Sequence, residues 1–237
     1  MPDTKRTSRT GMTTEEVEAL AAAVARAQSS GQTQVGWKLG FGSAQGKALL
    51  GITRPLVGAL FDGGRAEVGS TLDVSSLVNP MVEPEIAAWM RSDVPEDAEP
   101  DEVVAAVGAL VPAVELADLR FAPENTREVL AGNIYQERWL ALASDGAGWG
   151  AGPDRRVNVT FGDQSWQQDV PESMTGSLIE GLQQCAVVAH ALGRGLLRGD
   201  VVFLGSVIPP QKAKNARFTV TFDDGRSALT DFVGASE

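Results

Sequence analysis

The sequence predicts an α+β fold that is rich in sheet. Glycine is abundant, at 26 of 237 residues, and much of it flanks short apolar runs, a texture of many strands and turns. The elements follow one another without a regular strand–helix alternation, which argues against a doubly wound parallel sheet. Hydrophobic residues make up 43% of the chain, enough to fill one sizeable core.

The chain divides into an N-terminal tail and helix, residues 1–32, and one larger domain, residues 33–237. Residues 1–12 read as a loose tail. Thr13 and Glu16 form a capping box ahead of an alanine-rich amphipathic helix that ends at Ser29-Ser30-Gly31. Thr33–Phe41 reads as a strand, Ala44–Leu50 as a short helix and Leu56–Phe61 as a strand closed by Asp62-Gly63-Gly64. Ala66–Val68 and Leu72–Leu77 are short extended pieces. Met81–Met90 and Val111–Leu119 are strands, separated by an acidic turn and a helix over Asp101–Leu110. Glu124–Leu130 and Tyr135–Ala143 have helical composition, and Gly146–Gly152 is a loop. Arg156–Phe161 is a strand, and Pro171 opens a helix that runs to about Leu192. Asp200–Gly205 is a strand, and Arg217–Phe222 pairs with Ala228–Val233 across Asp223-Asp224-Gly225.

Composition excludes several function classes. The net charge is −11 and no basic stripe is visible, which argues against nucleic acid and against anionic membrane surfaces. No apolar run reaches the roughly 20 residues a membrane helix needs. Lys5, Arg6 and Arg9 have no apolar stretch behind them, so no secretory signal is expected and the cytoplasm is the default location. One cysteine, Cys185, precludes an internal disulfide. One histidine, His190, rules out a multi-histidine zinc site.

Three segments carry candidate chemistry. In Met81-Val82-Glu83-Pro84-Glu85-Ile86, strand alternation puts Glu83 and Glu85 on one face. Adjacent carboxylates repel, a cation between them removes that cost, and hard oxygen ligands select magnesium, manganese or calcium. The alternative is a solvated strand face. Pro84 cannot donate to a ladder, which predicts an edge or a bulge. In Val111–Asp118, Glu115 stands among small apolar neighbours and needs a partner if buried: a shared metal, or a salt bridge to Arg120. In Gly36-Trp37-Lys38-Leu39-Gly40, a lysine sits in an apolar strand whose glycines let another backbone or a ligand approach. Lys38 is either a general acid/base or carboxylate anchor, or a lysine whose stem is covered at a strand edge. Asp62 at its turn and Asn133 at a helix end are open to structural readings as a turn residue and a cap.

Taken in order, these segments resemble the 2-keto-4-pentenoate hydratase/4-oxalocrotonate decarboxylase branch of the fumarylacetoacetate hydrolase superfamily. The resemblance lies in Gly36–Gly40, in Leu50-Gly51-Ile52 through Leu60-Phe61-Asp62, in Val82–Ala87, in Pro112–Asp118 and in Gly199–Ser206. It runs from about Thr14 to Val233. It implies a β-rich mixed sheet or roll with peripheral helices, and magnesium or manganese bound by Glu83, Glu85 and Glu115. It further implies a small 2-oxo acid substrate handled through a metal-stabilised enolate, with Lys38 and Asp62 as catalytic residues. Leu60, Asn133, Tyr135, Gly205 and Ser206 would border the substrate. A homo-oligomer is expected, or a complex between hydratase and decarboxylase relatives. The expected activity is that of a lyase, hydratase or decarboxylase. A tautomerase, a carbon–carbon hydrolase and a non-catalytic partner subunit are the alternatives. The segment Asn133–Arg138 departs from the family's small serine-containing stretch, and its bulk is expected to reshape the pocket.

Overall fold

The structure, a computed structural model, describes residues 10–150 and 152–235, so most of the expected N-terminal tail lies outside the described residues. The first helix, α1 (Thr14–Ser29), has the predicted capping box: the Thr13 side chain accepts from Glu16 N–H and the Glu16 carboxylate accepts from Thr13 N–H. Its Leu20 and Ala23 are buried in the common core. Strand β1 (Gln34–Gly40) leads into the short helix α2 (Ala44–Leu50), which buries no residue fully, and then β2 (Leu56–Phe61). A single 310 turn, Asp62–Gly64, and the short strand β3 (Thr71–Asp73) follow.

The two longest strands are β4 (Pro80–Met90) and β5 (Val107–Asp118), joined through α3 (Pro100–Ala106). The helix expected to reach Leu110 stops at Ala106, where the apolar run Val107–Leu110 pairs with β4 instead. After α4 (Thr126–Ala131) comes β6 (Gln136–Ala141), in a stretch whose composition suggests a helix. Pairing with β5 overrides the helical propensity. Strands β7 (Val157–Phe161) and β8 (Gln164–Gln168) form a hairpin, and β8 has no counterpart among the expected elements. The helix expected from Pro171 breaks into α5 (Glu172–Thr175) and α6 (Leu178–Ala191) at Gly176, whose φ of 78° leaves the helix. Strands β9 (Val201–Ser206), β10 (Gln211–Lys212), β11 (Arg217–Phe222) and β12 (Ser227–Val233) complete the chain, the last two as the expected hairpin.

One sheet runs β2-β1-β9-β4-β5-β6, with β10 alongside the start of β4. Its two end strands nearly meet. Just past β2, Arg65 bridges to Trp139 of β6, Ala66 N–H donates to the Trp139 carbonyl at 2.8 Å, and Trp139 Nε1 donates to Phe61 O at 2.8 Å. The expected bent sheet thus curls into an almost closed barrel. Its inner face carries Leu60, Ala87, Ala113, Trp139, Val201 and Phe203 as a separate apolar cluster, with Trp139 and Phe203 edge to face at 5.8 Å. The second sheet, β3-β12-β11-β7-β8, shares the larger core through Phe161, Phe218 and Phe232. Among the described residues no helix is long and apolar enough to cross a membrane.

Pro84 does not lie at a sheet edge. It sits mid-sheet, opposite Val114 on one side, and the β4–β9 register shifts beside it, between Glu85 and Ala87. Its carbonyl accepts from Val207 N–H at 2.9 Å, so its missing donor falls where the β9 ladder is already irregular.

Candidate active site

The face that carries the apolar cluster also carries the charged residues, two or more positions further along each strand. Glu83 and Glu115 are direct cross-strand partners in β4 and β5, and Glu85 lies opposite Ala113 and Ser206. Alternation keeps all three carboxylates on the inner face. Lys38 comes from β1, three strands from β5 in the sheet order. On a flat sheet that separation would be about 14 Å; the curl brings the Lys38 ammonium into an ion pair with Glu115 Oε1.

Lys38 is 2% exposed, and Glu85 and Glu115 are fully buried. The Lys38 Nζ also donates to the Ile134 carbonyl at 3.1 Å. That carbonyl is presented by an unusual backbone: Asn133, Ile134 and Tyr135 all have positive φ, at 51°, 51° and 60°. Such a run costs conformational energy in non-glycine residues. Two hydrogen bonds hold it, from Ala59 N–H to Asn133 Oδ1 and from Asn133 Nδ2 to Ala59 O, each 2.8 Å. The neighbouring glycines make room. A Cβ on Gly40 would stand 2.7 Å from Ile134 Cγ2, and one on Gly58 would crowd Asn133, Lys38 and Ile134 at 3.1–3.3 Å.

Burial pushes the carboxyls of Glu83, Glu85 and Glu115 above the ordinary carboxylate range. Repulsion from Glu115 raises Glu83 and Glu85 further, while Lys38 acts against the rise in all three. Glu85 Oε2 accepts from Gly205 N–H at 2.7 Å. Glu85 Oε1 and Glu115 Oε2 are buried without a hydrogen-bond partner. Among the described residues no three such side chains converge closely enough to hold an ion as they stand, because Lys38 and Gly205 each draw one carboxylate oxygen their own way. The donor set nevertheless suits a hard dication: two orphaned carboxylate oxygens, of Glu85 and Glu115, share the inner face with Glu83, the one of the three that lines the cavity.

A cavity of about 330 Å3 opens above these groups, with Lys38, Glu83, Tyr135, Gly205 and Ser206 in its wall. Tyr135 stacks at a tilt on Phe121, 4.8 Å away, and its hydroxyl is buried without a partner. Burial raises its pKa to about 12, which keeps it neutral. The Ser206 hydroxyl donates to Ile208 O at 2.7 Å.

Several residues take places other than those expected of them. Asp62 is exposed and does not line the cavity; its Oδ1 accepts from Thr33 N–H at 2.9 Å and Gly63 N–H at 2.8 Å, so it is a turn residue. Those bonds hold its pKa down. Leu60 belongs to the apolar floor beneath the site rather than to the cavity wall. Asn133 supports Ile134 and does not itself line the cavity. Arg120 pairs with Glu137 and Asp118, not with Glu115. Asp118 accepts from Val78 and Asn79 N–H, tying down the entry to β4. Cys185 is buried in α6, and His190 is exposed at that helix's end. The Ile134 carbonyl and the cavity residues Phe41 and Thr175 are not legible in the sequence. A backbone acceptor and loop residues leave no side-chain pattern to read.

No protein-family model matches the chain. It aligns with a 4-oxalocrotonate decarboxylase of a Pseudomonas species at 28% identity over 183 residues, 74% of this chain and 69% of the relative. A 2-keto-4-pentenoate hydratase of Burkholderia vietnamiensis (strain G4 / LMG 22486) aligns at 27% identity over 214 residues, 85% of this chain and 79% of the relative. Among solved structures, 4-oxalocrotonate decarboxylase from Pseudomonas putida G7, complexed with magnesium and adipate, has the same fold. The match has a TM-score of 0.83 at 20% identity and covers 97% of this chain and 90% of that one.

Proposed function

We propose that this chain, which belongs to the hydratase and decarboxylase branch of the fumarylacetoacetate hydrolase superfamily, is a divalent-metal-dependent lyase acting on a small 2-oxo or 2-hydroxydienoate acid. It is an enzyme of that branch; the reaction and the residue roles are our reading. The observation that carries it is the opposition of Glu83 and Glu115 across β4 and β5. Glu85 shares their face, Lys38 is ion-paired to Glu115, and one cavity opens over the group.

Glu83, Glu85 and Glu115 would hold magnesium or manganese. When bound, the ion supplies a Lewis acid that lowers the cost of negative charge on the 2-oxo oxygen. The chain's own groups do the rest. Lys38 Nζ, an ammonium held by Glu115 and the Ile134 carbonyl, gives a proton to the carbon that takes one up and is reprotonated from water. The apolar floor of Trp139, Phe203 and Leu60 keeps bulk water from reaching these groups from below. In hydration, water adds across the double bond conjugated with the keto group. Its oxygen bonds to the far carbon and its proton ends on the carbon beside the keto group. In decarboxylation, the bond to a distal carboxylate breaks, its electron pair moves through the conjugated chain toward the keto oxygen, and carbon takes up a proton. A histidine-dependent hydrolysis has no support, since His190 does not line the cavity.

The test is the ultraviolet band of a 2-hydroxydienoate. Protein with magnesium should abolish it, chelation should stop the reaction, and added magnesium or manganese should restore it. No change across a series of such acids would sink the reading. Lys38→Met should lower kcat by about 10²–10⁴-fold while magnesium still binds, as calorimetry would show.

A further inference from the structure

We infer that the substrate of this site is a monocarboxylic 2-oxo acid with an uncharged, apolar tail. The inference rests on the proposed function and narrows it. The cavity has two unlike ends. Its floor holds Lys38, nearly fully buried, and the half-buried Glu83, while its mouth is marked by exposed Leu49, Pro209 and Pro210. A 2-oxo acid presented to the carboxylate cluster through its keto and carboxylate oxygens must direct its other end toward that mouth.

What it meets there is apolar. Phe41, Leu49, Met174, Ile208, Pro209 and Pro210 all belong to the wall. Lys38 is the only cation among the described residues that line the cavity, and it is engaged with Glu115 at the floor. Lys47 lies on α2 between lining residues Gly46 and Leu49 but is not in the wall. Arg120, next to lining residue Leu119, is held by Glu137 and Asp118. Hydroxyls offer little more. Thr175 donates to Gly176 O at 2.7 Å and Ser206 to Ile208 O at 2.7 Å. Ser43, Gln45 and Tyr135 add neutral groups to the wall but no charge, the Tyr135 hydroxyl being buried without a partner.

A carboxylate taken into such a wall would lose its water with no counter-charge, which is costly. An alkyl or alkenyl end would instead gain from leaving water. An apolar wall can hasten loss of carbon dioxide once a carboxylate is inside it, but the carboxylate must first bind there. Hydration needs no second carboxylate and decarboxylation at the tail does, so the wall favours the hydratase chemistry.

The test is calorimetry of the full-length chain with magnesium present, using two ligands of equal length, 2-oxohexanoate and 2-oxohexanedioate. The monocarboxylate should bind at least about tenfold tighter. Equal or tighter binding of the dicarboxylate would overturn the inference, as would binding of neither. Leu49→Arg, a substitution at an exposed position, should bring the two affinities together; no change in their ratio would count against the mouth as the tail's location. Binding is read without turnover, so a failure here is separable from a failure of the proposed lyase activity, which the dienoate band reports.

Discussion

The barrel's inner face holds two regions built by the same rule and left in opposite states. In the floor, Trp139 and Phe203 pack edge to face, Leu60 and Ala87 close around them, and the Trp139 indole N–H donates to Phe61 O. In the mouth, one step further along the same strands, three carboxylates face one ammonium, and two buried carboxylate oxygens have no partner. Alternation accounts for both, because Glu83, Glu85 and Ala87 lie on one side of β4 while Glu115, Ala113 and Val111 lie on one side of β5. The lesson is that the floor adds to the fold's stability while the carboxylate cluster subtracts from it, a cost that the floor and the larger core must offset.

Substitutions can break that comparison. Trp139→Ala should cost about 3–5 kcal/mol of unfolding free energy, read by denaturant melts, since it empties the floor and loosens the junction of β6 with the segment after β2. A loss below about 1 kcal/mol would mean the floor is not the anchor. Glu85→Gln should act the other way. It removes a crowded buried charge while its amide oxygen can still accept from Gly205. The metal-free protein should melt higher, and magnesium affinity by calorimetry should fall at least about a hundredfold. A lower melting temperature without metal would overturn the view of the mouth as strained. Asn133→Ala removes both bonds that hold the left-handed turn. It should cost about 1–3 kcal/mol and lower kcat more than it changes KM, because the Ile134 carbonyl then no longer fixes Lys38.

The smallest effect uses a satisfied acid as the control. Asp224 at the β11–β12 turn accepts from Arg226 and Arg155, and the Arg226 guanidinium, above all, holds its pKa well below the usual value of 3.8. A carboxylate lowered by folding adds stability above its unfolded pKa, and that contribution fades as pH falls below it. Asp224→Asn should therefore melt slightly lower than the parent at pH 7, by under about 1 kcal/mol for so exposed a pair. The gap should close as pH drops below about 4. A gap that persists at low pH would mean packing, not charge, is responsible.

Much of this is legible in the chain without coordinates. Pairs of glutamates two apart on a strand, and a lone glutamate among alanines, identify an inner face because alternation is local. What stays hidden is long-range. Nothing in Tyr135–Ala143 reveals that β5 will claim it as a strand, nor that three left-handed residues will turn the chain into it. Asp62 draws a chemical role from the resemblance because its turn follows a matching strand, whereas its Oδ1 is occupied by two backbone amides. The contact of Lys38 with Glu115 depends on the curl of the whole sheet, a property of no single segment.

The near-closure of that sheet has its own consequence. Neighbouring strands around the barrel share ladders, but among the described residues no ladder joins β2 to β6, which are linked through contacts of Phe61, Arg65 and Ala66 with Trp139. A cylinder stitched this way can alter its girth most cheaply at the seam. If the rim must widen to admit a guest, the backbone amide of Ala66 is where such breathing would first exchange its hydrogen with solvent.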